Sequence, residues 1–198
     1  AACARIGTPS GGPRDEDPPV FLGSFPDTLA TNVDPNIKEI VINFDEYIVL
    51  RDYTNTPVIS PPFQRNPIVS PQGTANTKIT IKLQEELQPN TTYNFNFGDA
   101  VRDNNEGNIL KNFSYVFSTG DFIDSLEVSG KVKDPYNIKQ SEKVLVGLYK
   151  MDENYKDSLI IQQKPYYITR ADQSGNFTLK YLAQGDYKVV AFADEVEN

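Results

Sequence analysis

The chain has 198 residues, with 27 acidic against 19 basic side chains and a net charge of −8. A surface of that sign repels phosphate backbones, so no nucleic-acid partner is expected. There is no histidine and only one cysteine, which excludes Ser-His-Asp and Cys-His catalysis, histidine-based zinc sites, internal disulfides and CxxC pairs within this chain.

Residues 4–19, ARIGTPSGGPRDEDPP, hold Gly7, Gly11, Gly12 and four prolines. Glycine raises the entropic cost of order, proline supplies no N–H, and no apolar periodicity offsets either. A flexible tether is predicted over residues 1–17, leading to a first strand at Val20-Phe21-Leu22. Period-two alternation then dominates. Ile40, Ile42 and Phe44 share one face, as do Ile79, Ile81 and Leu83. Tyr93, Phe95 and Phe97 oppose Thr92, Asn94 and Asn96, and Phe113, Tyr115 and Phe117 oppose Ser114, Val116 and Ser118. Between them, LQEELQPN could hold a helical turn, which Pro89 would stop. The expectation is an antiparallel β-sandwich over residues 18–119 and a connector over 120–125.

A second set of alternating strands follows: Leu126, Val128 and Val132; Val144, Val146 and Leu148; Phe177 and Leu179; Tyr187, Val189 and Ala191. Gly185, in LAQGD, is expected at positive φ in a tight turn. The fold class is therefore all-β, two tandem β-sandwiches after an N-terminal tether, the second spanning residues 126–198. The sequence stops at FADEVEN directly after a strong strand, the pattern expected of a fragment of a longer protein.

Three acidic stretches invite a chemical reading. In Asp103-Asn104-Asn105-Glu106-Gly107-Asn108, oxygen ligands at alternating positions suit a hard cation. The EF-hand, however, places Gly at loop position 6 and Glu at 12, where this chain has Asn108 and Ser114. A turn, with Asp and Asn bonding local backbone and Gly107 at positive φ, is preferred. The sequence Asp172-Gln173-Ser174-Gly175-Asn176 reads as a hairpin turn, and the acidic groups from Asp194 as a solvated loop. No metal or other cofactor is expected, and the only candidate ligands are Asp103, Asn105 and Asp194. Asp45 and Glu46 are adjacent in a strand and should point to opposite faces, too splayed for joint acid–base work. The acidic loops are expected to be exposed, with carboxylates near their ordinary pKa. Tyr149, Tyr155, Tyr166 and Tyr167 could stack on sugars or a protein partner, but alternation in and out of a core is preferred.

The opening Ala1-Ala2-Cys3 resembles the end of a bacterial lipobox. The resemblance implies signal-peptide cleavage before Cys3, diacylglycerol on its sulfur and an acylated amino group, with the Gly/Pro-rich segment as the usual tether. Residues 18–119 resemble the bacterial Ig-like domain first known from S-layer proteins, through PPVFLGSFP, IKEIVINFDEYI, KITIKLQEELQPNTTYNFNFGDAVRDNNEGN and YVFSTG. Residues 126–194 are similar to the carboxypeptidase regulatory-like, or prealbumin-like, sandwich, through GKV, VLVGLY and TRADQSGNFTLKYLAQGDYKVVAFAD. That segment also carries a long insert, MDENYKDSLIIQQKPYY.

Together these resemblances imply a non-enzymatic, lipid-anchored envelope scaffold of a Gram-negative bacterium. It would sit at the outer membrane, on its periplasmic face or at the cell surface. Its partners would be the membrane and an envelope or outer-membrane protein. The alternatives are a glycan- or protein-binding surface module, or the non-catalytic N-terminal part of a larger envelope enzyme.

Overall fold

The computed structural model describes residues 14–51, 58–133, 144–153, 155–156, 158–172 and 174–193. Cys3, most of the expected tether and Asp194 lie outside the described residues.

The first unit contains β1 (Phe21–Phe25), β2 (Glu39–Leu50), β3 (Val58–Ser60), β4 (Ile68–Ser70), β5 (Asn76–Lys82), β6 (Thr92–Gly98), β7 (Val101–Asp103) and β8 (Phe113–Ser118). One sheet runs β1-β2-β5-β4, with β7 also paired to β2; the other runs β3-β6-β8. The pairings are antiparallel. The alternating residues meet between the sheets: Ile40, Ile42, Ile79, Ile81 and Phe95 are fully buried, with Phe44, Tyr93, Phe97 and Phe117 beside them. Each such side chain contributes roughly 1.5–3 kcal/mol when removed from water. Rings order this core. Tyr93 stacks on Phe63 at 5.4 Å and on Phe117 at 5.5 Å between centroids, the separations favoured by ring quadrupoles.

Three features depart from the sequence reading. First, β8 is buried on both faces, since Val116 and Ser118 are as inaccessible as Tyr115 and Phe117. The irregular segment Leu29–Val33 runs along its free edge. Leu29 N–H donates to Val116 O, Ser118 N–H to Ala30 O and Val33 N–H to Ser118 O. Second, LQEELQPN forms no helix among these residues. Tertiary partners take its polar groups instead: the Glu85 carboxylate accepts from the N–H of Gln64 and Arg65, and Leu87 N–H donates to Pro35 O. Third, the chain is already anchored ahead of β1. The Asn108 side-chain amide donates to the carbonyls of Asp15 (3.1 Å) and Asp17 (3.0 Å), and Arg14 donates to Glu106 O. The end of the expected tether is thus laid along the 103–108 loop.

The second unit contains β9 (Leu126–Lys131), β10 (Val144–Lys150), a one-turn helix α1 (Leu159–Gln162), β11 (Tyr167–Arg170), β12 (Asn176–Leu182) and β13 (Tyr187–Ala193). A sheet β11-β10-β13 faces a pair β12-β9 across Val146, Leu148, Tyr167, Leu179 and Leu182. The opposite face of β10 is covered too, with Leu145 and Tyr149 buried and the Tyr149 hydroxyl donating to Ile160 O. The insert that carries α1 therefore packs against the strand it follows.

Alternation overstates burial here. Leu126 and Val128 share a face with buried Leu182 and Leu179, yet are 52% and 39% exposed. Asp172–Asn176 is a tight turn, but β11 and β12 belong to different sheets, so it is an arch rather than a hairpin. Gly185 is not at positive φ; Tyr181, at φ 61°, takes the left-handed conformation where the β9–β12 register shifts. Among the described residues, no helix is long and apolar enough to cross a membrane.

Candidate functional site

Asp15, Asp45, Glu46, Asp103 and Glu106 lie close together at one end of the first sandwich. Asp103 closes β7, and the turn that follows folds back on its carboxylate. Oδ1 accepts the N–H of Asn105 (2.7 Å), Glu106 (2.6 Å) and Gly107 (3.2 Å), and Oδ2 accepts Asn108 N–H (2.6 Å). Gly107, at φ 82°, supplies the left-handed step that aims successive N–H groups inward. Contrary to the expectation of an exposed acidic loop, Asp103 is only 2% exposed. Burial alone would raise its pKa, but the four backbone donors outweigh that and hold it below the usual carboxylate range. Asn105, a candidate co-ligand, contributes its backbone N–H to Asp103, and its side chain is exposed.

Asp45 and Glu46 both line one open groove, in different surroundings. Asp45 is exposed and accepts Val20 N–H at 2.7 Å, which fixes the entry to β1. Glu46 is half-buried where the β2–β5 register shifts. Burial first, then the charges of Asp103, Asp45, Asp15 and Glu106, push its pKa up. An open groove of about 720 Å³ runs past Asp15, Asp17, Phe21, Asp45, Glu46 and Leu110. Among the described residues, no three or more acidic or cysteine side chains are arranged to hold a metal ion.

Three further carboxylates repeat the role of Asp103. Asp34 accepts from the backbone and side-chain amides of Asn36, and Asp99 from Asn112 N–H. Asp172 accepts from Ser174 N–H and from both amides of Asn176. Asp34 and Asp172 have lowered pKa values because those donors favour the charged form. The Asp-to-(i+2) bonds follow from the Asx-turn preference and are visible in sequence. The longer ones, Asp45 to Val20 and Glu85 to Gln64 and Arg65, have no local signal.

The tyrosines act in the same way. Each sandwich carries a tyrosine at the start of a strand whose hydroxyl bonds backbone a few residues upstream, the arrangement known as a tyrosine corner. Tyr93 accepts Gln88 N–H at 2.8 Å, and Tyr187 donates to Ala183 O at 2.9 Å. Burial raises the Tyr93 pKa to about 12. Tyr167 is buried and accepts Ala183 N–H, which ties β11 to the same corner. Its neighbour Tyr166 is half-buried beneath the Lys150 ammonium, 3.6 Å from the ring centroid.

The comparisons with known proteins can be set against this geometry. A search of curated proteins gives no match. Among solved structures, the N-terminal part of the bacterial S-layer protein SbsC superposes with a TM-score of 0.31 at 14% identity, covering 87% of this chain and 39% of that one. The chain thus spans about two fifths of that structure's length, and no shared architecture follows at that score. Residues 140–198 match the family described as polysaccharide lyase family 4, domain II. Residues 15–119, more than half of the 198, match the bacterial Ig-like domain, and the chain belongs to that family.

Proposed function

We propose that the chain is part of a non-enzymatic, lipid-anchored protein of the bacterial cell envelope, in which two β-sandwiches act as a structural or interaction scaffold. One observation carries this reading. Several side chains suited to chemistry are committed to the backbone, with Asp103 held by four N–H donors and Tyr93 and Tyr187 bonded to loop backbone. Membership of the bacterial Ig-like family supports a surface or structural role. The module limits are 18–119 and 126–198, joined by 120–125, with the second module read as prealbumin-like. Cys3 is the acylation site, and the tether that follows it spaces the sandwiches from the bilayer. The attachment is at the outer membrane of a Gram-negative bacterium, on its periplasmic or outer face. Two or three acyl chains hold a protein where one is marginal, since each buried CH₂ contributes about 0.8 kcal/mol.

Fractionation of cells producing the full reading frame tests the anchor. The parent should sediment with membranes, and Cys3→Ala should move to the soluble fraction. If both fractionate alike, the anchor is wrong.

A second reading rests on the match of residues 140–198 to a polysaccharide lyase domain. On that reading the second sandwich is an accessory module of a carbohydrate-active envelope protein. Glycan-array binding by this chain would favour it, and a blank array would favour the scaffold.

A further inference from the structure

We propose that the two sandwiches are locked together as one stiff unit, with the edge strand β11 of the second seated against the edge strand β3 of the first. Tandem modules ordinarily move relative to one another unless their junction is specifically held. Here the junction is held at two places.

The first is the pair of edges. Among the described residues, β3 pairs only with β6, and β11 only with β10, so each would otherwise present unpaired backbone groups to water. They face one another instead. Ile168 N–H in β11 donates to the Ser60 hydroxyl in β3 at 3.3 Å. Ser60 is only 5% exposed, although it lies on an edge strand. Beside this bond, the Lys164 ammonium donates to the Asn66 side-chain carbonyl at 3.0 Å.

The second is the connector. Thr119 N–H donates to Thr91 O, and Asn32 N–H to Gly120 O. Gly120 passes so close to Asn90 that a Cβ would lie 3.1 Å from its Cα. Asp124 N–H then donates to the Thr92 hydroxyl at 3.0 Å, and Thr92 is 4% exposed. Ser125 alone separates this last anchor from β9. A connector bonded to the first sandwich at both ends, at Gly120 and Asp124, has little freedom to act as a swivel. Edges that protect each other set the orientation of the second sandwich. The inference stands whether or not Cys3 is acylated, because it concerns only the relation between the sandwiches.

Residual dipolar couplings on the whole chain in a dilute aligning medium read this directly. Amides of β2, β5, β6 and β8 and those of β10, β11 and β13 should fit one alignment tensor. Two tensors of unequal magnitude in the parent protein would overturn the proposal. The triple variant Ser60→Ala, Thr92→Val, Lys164→Ala should split the single tensor into two. Unchanged amide shifts for Phe95 and Val146 would show that both cores remain folded. Ser60→Ala with Lys164→Ala alone, which leaves buried Thr92 intact, should give a smaller split of the same sense. A single tensor persisting in both variants would refute the assignment of these contacts as the lock.

Discussion

Asp103 and Glu46 lie at the same end of the first sandwich, yet their surroundings drive them in opposite directions. Asp103 is ionised more readily in the folded chain than a free aspartate is, because four backbone donors outweigh its burial. Its contribution to stability is therefore complete at neutral pH and is lost as pH falls through the lowered folded value. Removing its carboxylate leaves four part-buried N–H donors without their acceptor. Asp103→Ala should cost about 2–3 kcal/mol in urea titration at neutral pH, and the gap between parent and variant should narrow below pH ~4. Glu46 has the opposite sign. Its pKa is raised above that of a free glutamate, so its charge costs stability once pH rises through the usual carboxylate range. Glu46→Gln should be neutral to stabilising at pH 7, by about 0.3–1 kcal/mol after solvent screening, with the gain absent below pH ~4. The Asp103 turn is legible from its run of Asp, Asn and Gly. Its burial is not, because that depends on Asn108 and residues 14–17 meeting across the end of the sandwich. The repulsion on Glu46 is equally illegible, since Asp103 and Asp15 are remote from it in sequence.

Strands with one dry and one wet face declare themselves by period two, which is why β2, β5 and β6 could be read directly. The three-residue strands β3, β4 and β7 are too short to show a period. The Leu29–Val33 segment pairs with β8 without any alternation, so nothing local marks it. β9 has the opposite problem. Its Leu126 and Val128 alternate correctly, but alternation fixes only the face, and burial also needs a covering partner. Corners are better encoded, because a tyrosine one to five residues after a turn can reach back to its backbone. Tyr93→Phe keeps the ring stack but orphans Gln88 N–H, and Tyr187→Phe orphans Ala183 O. Each should lower stability by about 1–2 kcal/mol by chemical denaturation. A cost near zero at either position would show that water replaces the hydroxyl.

Across the whole molecule, the two sandwiches are unequal. The first encloses an aromatic core of Phe63, Tyr93, Phe95, Tyr115 and Phe117, whereas the second rests on Val146, Leu148, Tyr167, Leu179 and Leu182, with the β9 stripe open to water. Hydrogen exchange should reflect this, with amides of β9 and β12 exchanging faster than those of β6 and β8. Equal protection would mean that docking on the first sandwich compensates for the smaller core. On the proposed function, this pair of sandwiches is held at a membrane through Cys3 as a scaffold. Mass spectrometry of the N-terminal peptide from protein isolated from its native host tests this most directly. Cys3 should carry diacylglycerol, with or without a further acyl group on its amine. An N-terminal peptide containing Cys3 as a free thiol throughout the native population would contradict it.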